Sequence, residues 1–312
     1  MPYKHITVFP DQAVEYLNPM QGKVYVDCTM GGAGHSKRIL KRISQGGTFI
    51  GIDQDLDAID NARKVLDCHD CDIHLVHDNF VNLSNILCNL HISSVDGILL
   101  DLGLSLNQLK NSKRGFSFNI DEPLDMRFNI NTKVTAEDVV NKEDKKSLVK
   151  IFRQFGEERF AVQIANNIVR YRKEKPVLTT KQLVEIVYES VPAKIIYKQK
   201  IHPATRIFMA LRIFVNKELE MLDKFMKNAA GLLNSKGRIC VISFHSLEDR
   251  IVKHSFKEFA KECVCPPDFP RCICNKKKSY HILSKKAIRP QKSEIEANPM
   301  ARSAILRVAE KI

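Results

Sequence analysis

The fold class is indicated by residues 24–34, which are Val24-Tyr25-Val26-Asp27-Cys28-Thr29-Met30-Gly31-Gly32-Ala33-Gly34. The first five of them are mostly β-branched or aromatic and predict a strand. The glycines that follow predict a tight turn, and residues 36–44 have apolar side chains at helical spacing. A strand, a glycine-rich turn and a helix in this order are typical of an α/β sheet that binds a nucleotide or nucleoside.

The same rhythm continues over the first hundred residues. Further strands are predicted at 48–52, 73–76 and 97–100, with helices at 57–66 and 80–90 between them. Strands joined by short helical connections imply right-handed crossovers and a parallel sheet. In such a sheet the ligand lies at the carboxyl ends of the strands.

Residues 109–202 interrupt this pattern, because they contain no clear strand and predict helices at 145–155, 158–171 and 180–190. The pattern resumes with a helix over 204–228 and a strand over 238–244. The tail after Ser279 is basic and irregular, with a last strand at 304–308. We therefore predict a Rossmann-like α/β core of residues 1–108 and 203–312, into which an all-helical subdomain of residues 109–202 is inserted.

Charge is distributed unevenly along the chain. Residues 1–140 carry 13 basic and 18 acidic side chains, whereas residues 141–312 carry 36 basic and 18 acidic ones, a net charge of +18. The blocks 141–200 and 271–312 are the most basic, at +7 and +8. The later part of the chain should therefore attract a polyanion or an anionic membrane surface.

Composition excludes several protein classes. A hydrophobic content of 44% with 27% charged residues excludes a disordered or fibrous chain. No apolar run is long enough for a membrane span, and the first residues resemble neither a secretory signal nor a transit peptide. Nine cysteines without a regular framework predict reduced thiols and a cytoplasmic location.

Acidic residues stand at the predicted strand ends, namely Asp27, Asp53 and Asp101, with Asp78 just past another strand. Several carboxylates at one edge would repel a pyrophosphate, but they suit S-adenosylmethionine, which carries a sulfonium, an ammonium and a ribose diol. Asp53 is then the ribose acceptor, Phe80 packs on the adenine, and Asp101 lies beside the reactive centre. The alternative is that these aspartates only cap loops and helices.

Motifs along nearly the whole chain resemble those of the bacterial 16S rRNA cytosine-N4 methyltransferases, the MraW or RsmH family. They are Gly-Gly-Ala-Gly-His-Ser at 31–36, Gly-Ile-Asp-Gln-Asp at 51–55, Asp-Gly-Ile-Leu-Leu-Asp-Leu-Gly at 96–103, Arg-Gly-Phe-Ser-Phe at 114–118, Pro-Leu-Asp-Met-Arg at 123–127, Gly-Glu-Glu-Arg-Phe-Ala at 156–161, His-Pro-Ala-Thr-Arg at 202–206, Arg-Ile-Phe-Val-Asn at 212–216, Ser-Phe-His-Ser-Leu-Glu-Asp-Arg at 243–250 and Asn-Pro-Met-Ala-Arg-Ser at 298–303.

The resemblance implies a class I methyltransferase sheet and methyl transfer from S-adenosylmethionine to N4 of a decoding-region cytosine. The substrate would be 16S rRNA, within a small ribosomal subunit or a late precursor, and no protein partner is indicated. Family contacts with the cofactor fall here on Ala33, Gly34, His35, Asp53, Phe80, Asp101 and Gln108. Ala33 departs from the family, which usually has glycine there, so the approach of the backbone to the methionine end could differ slightly.

Candidate residues for the reaction and the substrate follow from position and polarity. Asp101 is the first catalytic candidate, because a carboxylate can hold the amino hydrogens of the acceptor and stabilise developing positive charge. His245 ends a predicted strand and is a second candidate, or else a histidine that hydrogen-bonds a loop. Arg206 and Asn216 are polar on an otherwise apolar helix and are candidates for base or phosphate contact, or for a partner within the protein.

Four cysteines cluster between proline-rich turns, as Cys263-x-Cys265 and Cys272-x-Cys274. Four thiolates suit tetrahedral zinc, but pairs with one intervening residue are less diagnostic than pairs with two. The sequence therefore favours a reduced surface hairpin without metal over a structural zinc site.

Two other functions remain open on the sequence. The first is a nicotinamide-linked oxidoreductase, which the glycine spacing and the strand-end carboxylates disfavour. The second is an RNA-binding or ribosome-assembly factor that keeps a methyltransferase fold without activity.

Overall fold

The computed structural model describes residues 7–199, 201–266, 273–274 and 276–312. The strands of this part of the chain belong to one seven-stranded sheet. They are β1 Val24–Asp27, β2 Gly47–Asp53, β3 Cys71–His77, β4 Val95–Asp101, β5 Leu233–Ser243, β6 Tyr280–Ile282 and β7 Ile305–Lys311.

The sheet has the order β3-β2-β1-β4-β5-β7-β6. The first five strands in this order pair in parallel, and β7 runs antiparallel to both β5 and β6. The predicted Rossmann-like class I methyltransferase sheet is thereby confirmed. Strand order reverses at β1, which lies between β2 and β4, and this switch point is where such sheets bind their ligand.

Fourteen α-helices lie within the described residues. They are α1 Gln12–Leu17, α2 Gly34–Ile43, α3 Leu56–Val65, α4 Leu83–Asn89, α5 Leu106–Lys110, α6 Ala136–Lys142, α7 Lys145–Gly156, α8 Ala161–Tyr171, α9 Thr180–Ser190, α10 Ala193–Ile196, α11 Ala204–Asn216, α12 Glu218–Leu232, α13 Ser246–Ala260 and α14 Lys292–Ala297. Among the described helices, none combines the length and the apolarity that a bilayer crossing requires.

The chain divides into two compact units, of which the first comprises Met1–Leu104 and Leu219–Ile312. Its sheet is covered on both faces. Along β2, Ile50 and Ile52 belong to an apolar cluster with α4, α12 and α13, whereas Phe49 belongs to a second cluster with α1, α2 and α3. Successive residues of a strand point to opposite faces, so the alternation shows that both faces are buried.

The second unit comprises Ser105–Glu218. Its described residues form helices α5 to α11 and no strand. Helix α7 packs on α8 and α11, and α8 packs on α9. The approach of α7 to α11 is close, since a Cβ at Gly156 would lie 2.7 Å from the carbonyl oxygen of Arg206. The unit boundaries therefore differ from the predicted 109–202, because α11 packs within the helical unit instead of belonging to the core.

The predicted single helix over 204–228 is wrong in one respect. Lys217 has φ 51° and ψ 34°, a left-handed conformation that ends α11, and α12 begins at the next residue. The prediction of an irregular tail is wrong in part, because the tail also contains β6 and α14. Its predicted last strand at 304–308 is confirmed by β7.

The expectation that every cysteine is reduced is contradicted at one place. Cys68 and Cys71 form a disulfide across the turn that leads into β3. Their Cα atoms are 5.7 Å apart, well within the range that a disulfide spans. Sequence spacing did not indicate this pair, because the separation depends on the turn conformation.

Candidate active site

Three strands end in a carboxylate at the same edge of the sheet. Asp27 is the last residue of β1, Asp53 of β2 and Asp101 of β4. These strands are neighbours and run in parallel, so their carboxyl ends lie together. Within the described residues, none of the three pairs with a lysine or arginine. We call this set the acidic edge.

The loop after β1 has a backbone that requires small residues. Gly31 has φ 47°, and Ala33 has φ 61° and lies in the left-handed region. A Cβ at Gly34 would overlap the side chain of Thr7. The glycine that the family usually has at position 33 would adopt this φ without strain, whereas alanine does so at a cost of about 1 kcal/mol.

Asp53 is partly buried and already holds the loop. Its Oδ2 accepts a hydrogen bond from the Gly31 N–H at 2.9 Å, and its Oδ1 accepts one from the Asp55 N–H at 2.9 Å. Burial nevertheless raises the pKa of the Asp53 carboxyl to about 7, and the charges of Asp55 and Asp27 add to this. The free protein therefore binds a proton here near neutral pH.

Asp27 is 1% exposed and links β1 to the helix after the loop. Its Oδ2 accepts a hydrogen bond from the Ser36 hydroxyl at 2.6 Å, and its Oδ1 accepts one from the Thr29 N–H at 3.2 Å. Burial raises the pKa of Asp27 to about 6 in spite of these two bonds.

Asp101 differs from the other two in its hydrogen bonding. Its side chain is 12% exposed, and its Oδ1 is buried with no hydrogen-bond partner among the described residues. Burial raises the pKa of the Asp101 carboxyl well above its usual range, and the charges of Asp27 and Glu248 raise it further. A buried oxygen without a partner costs about 1–3 kcal/mol, which a bound ligand can relieve.

His35 lies beside Asp101. Its Nε2 is 2.9 Å from the carbonyl oxygen of Val8, and a carbonyl only accepts, so this nitrogen carries a hydrogen. Its Nδ1 then faces Asp101 Oδ2 at 3.6 Å, which is longer than a hydrogen bond. The His35 ring thus faces the Asp101 carboxyl group without forming a hydrogen bond to it.

Phe80 begins the 3₁₀ turn after β3 and is 7% exposed. Its ring meets that of Phe225 edge to face, with centroids 5.3 Å apart. The ring is thus held by the core, and its predicted packing on adenine stays a prediction.

His245 caps a helix. Its Nδ1 accepts a hydrogen bond from the Glu248 N–H at 3.4 Å, at the start of α13, and Glu248 Oε2 accepts in return from the N–H groups of Phe244 and His245. Its Nε2 is 3.2 Å from Glu248 Oε1, but the geometry is not that of a hydrogen bond. Capping is the role that these contacts describe, and a catalytic role for His245 stays a prediction.

The remaining candidates belong to the second unit. Gln108 is buried in a capping box, in which its Oε1 accepts from the Ser105 N–H at 2.9 Å. Arg206 is partly exposed and donates from Nη1 to the Glu157 carbonyl at 3.2 Å. Neither contact tests the predicted contact with the cofactor or the RNA.

Asn216 uses its whole amide within the protein. Its Oδ1 accepts from the Phe128 N–H at 2.8 Å, and its Nδ2 donates to the carbonyls of Met126 and Arg212 at 2.7 and 2.9 Å. Both amide hydrogens are therefore engaged. These bonds describe a residue that holds the chain at 126–128 on the end of α11.

Two residues near the acidic edge are absent from the sequence-based candidates. The Thr29 hydroxyl accepts from the Asp101 N–H at 2.6 Å, and Glu248 is 2% exposed and acts on the charge of Asp101. Thr29 lies two residues after the end of β1, and Glu248 stands three residues after His245, the spacing of a capping box. Both signals were present in the sequence, but a histidine cap is uncommon.

Comparisons with known proteins agree along the whole chain. The family described as the MraW methylase family matches residues 2–312. The Ribosomal RNA small subunit methyltransferase H of Desulforapulum autotrophicum is 50% identical over 312 residues, 100% of both chains, and that of Clostridium botulinum (strain Loch Maree / Type A3) is 49% identical over the same full lengths. Among solved structures, a putative rRNA methylase from Clostridium thermocellum aligns with a TM-score of 0.45 and 13% identity, over 99% of this chain and 98% of that chain.

Proposed function

Because the chain belongs to the MraW methylase family, we propose that it transfers a methyl group from S-adenosylmethionine to the N4 amine of a decoding-region cytosine in 16S rRNA. Two full-length relatives named Ribosomal RNA small subunit methyltransferase H support the choice of small-subunit rRNA as substrate. The choice of cytosine and of N4 rests on the family resemblance of the motifs.

We infer that the chain is an active enzyme from the missing hydrogen-bond partner, in the described part of the chain, of a buried oxygen of Asp101. Its buried Oδ1 has no partner among the described residues, although it stands at the switch point of the sheet. A scaffold without activity gains nothing from an unsatisfied buried carboxylate, which lowers stability. A group held in this state is suited to accept a hydrogen bond from a ligand, and this favours an enzyme over an inactive assembly factor.

The acidic edge fits a cationic cofactor. When bound, S-adenosylmethionine supplies an electrophilic methyl group on a sulfonium. Each oxygen of Asp53 accepts one backbone N–H and has a second lone pair for a ribose hydroxyl. Ala33, Gly34 and His35 would line the methionine end, and Phe80 and Gln108 complete the contacts that the resemblance implies.

Asp101 would act on the acceptor amine. The exocyclic amine of cytosine is a weak nucleophile, because its lone pair is conjugated with the ring. An ionised Asp101 accepts a hydrogen bond from that amine, stabilises the positive charge that develops on it and takes up the proton that it loses. A cationic ligand beside Asp101 favours this ionised form, since it lowers a pKa that burial has raised.

The basic blocks 141–200 and 271–312 would bind the RNA backbone. Residues 109–202, together with α11, are then the substrate-recognition part of the chain. The target base has to leave its stack or lie in unfolded RNA before an amine can be reached. We place this activity in the cytoplasm, on the small subunit or a late precursor of it.

Incubation with S-adenosylmethionine carrying a labelled methyl group tests the proposal. Small subunits from cells lacking the modification, and 16S rRNA stripped of protein, serve as the two substrates. Nucleoside analysis should recover the label as N4-methylated cytidine from one site. Label on another atom refutes the N4 assignment, and saturable rRNA binding without any transfer supports the inactive assembly factor.

A further inference from the structure

The segment between α13 and β6 is long, and the large aliphatic side chains among its described residues are not buried. It spans residues 261–279, and its described residues form neither helix nor strand. Its two large aliphatic side chains, Val264 and Ile273, are 53% and 67% exposed. A loop of this length in a compact domain needs another source of order or serves a function.

Three sulfur atoms converge in this segment. The Sγ atoms of Cys263, Cys265 and Cys274 all lie within 4.8 Å of one another, and those of Cys263 and Cys274 are 3.8 Å apart. Cys272, the fourth cysteine of the sequence cluster, lies outside the described residues.

Backbone N–H groups point at each of the three sulfurs. The N–H of Cys265 donates to Cys263 Sγ at 3.3 Å, that of Ile273 to Cys265 Sγ at 3.4 Å, and that of Val264 to Cys274 Sγ at 3.4 Å. Such outer hydrogen bonds hold the three sulfur atoms in place, as they do for the ligands of metal sites. The thiolate is the form of cysteine that binds metal ions.

We propose that Cys263, Cys265 and Cys274 bind one Zn²⁺ ion as thiolates. Tetrahedral zinc with bonds of about 2.3 Å to sulfur separates two sulfurs by about 3.8 Å, which is the distance found between Cys263 and Cys274. Three soft ligands and no carboxylate select zinc over magnesium or calcium. Three thiols release three protons to solvent as the ion binds, and the fourth position takes water or another donor.

The ion would connect the beginning of the segment, at Cys263 and Cys265, to its later part at Cys274. It ties the chain just after α13 to the chain just before the basic run Lys276-Lys277-Lys278, where Lys276 Nζ donates to the Glu258 carbonyl at 2.9 Å. This role is structural and does not depend on the proposed methyl transfer. The sequence alone disfavoured a metal here, and the convergence of sulfurs from two separate pairs reverses that expectation.

Metal content of the full-length chain tests the proposal. Protein purified without chelator and with a thiol reductant, then supplied with zinc and desalted, should hold about one zinc per chain by plasma mass spectrometry. Cys263→Ser, Cys265→Ser and Cys274→Ser should each lower zinc affinity by about tenfold or more. Cys88→Ser is the matched control, since Cys88 is an exposed cysteine on α4 outside the cluster, and it should keep the zinc.

Cobalt titration of the chelated wild-type chain provides a second measurement, which does not depend on how a variant folds. Thiolate ligation should produce sulfur-to-cobalt charge-transfer bands and tetrahedral d–d bands that zinc then abolishes. Absence of both zinc and these bands overturns the proposal, as does iron in place of zinc. Retention of full zinc by all three cluster variants, or a disulfide between Cys263 and Cys274 under reducing conditions, also overturns it.

Discussion

Acidic groups in the two units lie in opposite environments. At the acidic edge of the first unit, burial raises the pKa of Asp27 to about 6 and that of Asp53 to about 7. In the helical unit, burial also acts on Asp125, but the hydrogen bonds and charge of Arg127 outweigh it and lower the Asp125 pKa. Lys142, with help from Thr135, lowers the pKa of Asp138 to about 2.

The difference separates carboxylates that have a basic partner inside the protein from carboxylates that have none among the described residues. Arg127 meets Asp125 through two nitrogens, at 2.8 and 2.6 Å, and so satisfies that carboxylate inside the protein. No described lysine or arginine does the same for the acidic edge. Raised pKa values without a structural counter-ion are typical of functional sites.

The largest effect is expected at Asp101. Asp101→Asn keeps the shape of the side chain but removes its charge and basicity, so methyl transfer should fall by roughly 10²–10⁴-fold. The free energy of unfolding should stay close to that of the wild type, because asparagine keeps the size of the side chain and two polar atoms at the same buried position. Initial rates with labelled cofactor and urea unfolding measure the two effects.

Asp138→Asn is the matched control for Asp101→Asn. Asp138 is an acid of the helical unit that is satisfied by Lys142 and Thr135, so transfer should stay near the wild-type rate. If Asp101→Asn also transferred methyl groups at the wild-type rate, the proposed catalytic role of Asp101 would be refuted.

The second effect is a pH dependence of cofactor binding. An ionised Asp53 accepts ribose hydroxyls, and its pKa of about 7 in the free protein means that binding at lower pH must expel a proton. The contribution of Asp53 alone should make affinity for S-adenosylmethionine about tenfold weaker at pH 6 than at pH 8, as one coupled proton predicts. Calorimetric titration at both values measures it.

Asp53→Asn should bind S-adenosylmethionine more weakly and lose the tenfold part of the pH dependence that Asp53 contributes. The sign for stability is the reverse, because the folded state holds more protons than the unfolded state between the ordinary pKa of 3.8 and about 7. Unfolding of the ligand-free wild type should thus cost more at pH 6 than at pH 8. A slope that persists unchanged in Asp53→Asn would assign the proton to another group.

The smallest expected effect is on the free energy of unfolding, in variants of two polar residues of α11. Asn216→Ala leaves the Phe128 N–H and the Met126 carbonyl without their partner, so unfolding should become easier by about 2 kcal/mol. Arg206→Ala loses one hydrogen bond from a partly exposed side chain and should cost less than about 1 kcal/mol. Urea unfolding of both variants makes this comparison.

Methyl-transfer kinetics separate structure from substrate contact at these two positions. If Asn216 only holds residues 126–128, its variant keeps the wild-type KM for rRNA at temperatures where it is folded. A raised KM with unchanged stability would instead support the substrate contact that the sequence predicts. The same readout applies to Arg206→Ala.

The elements that form the acidic edge were predictable from local sequence. Strands β1, β2 and β4 are short β-branched or aliphatic runs, and each ends at the aspartate that the sequence marks. The break between α11 and α12 was not predictable, because the left-handed residue there is a lysine and no glycine or proline marks it. Helix α13 was missed because a histidine caps it.

Local patterns specify the sheet, the helical insertion and the acids at the strand ends, since periodicity and handedness constrain how consecutive elements pack. Contacts between distant residues specify the rest. The engagement of Asn216 with residues 126–128, the unsatisfied oxygen of Asp101 and the convergence of Cys263, Cys265 and Cys274 depend on atoms that only folding brings together. Hydrogen-bond satisfaction and metal geometry are properties of three-dimensional distances, so spacing along the chain does not reveal them.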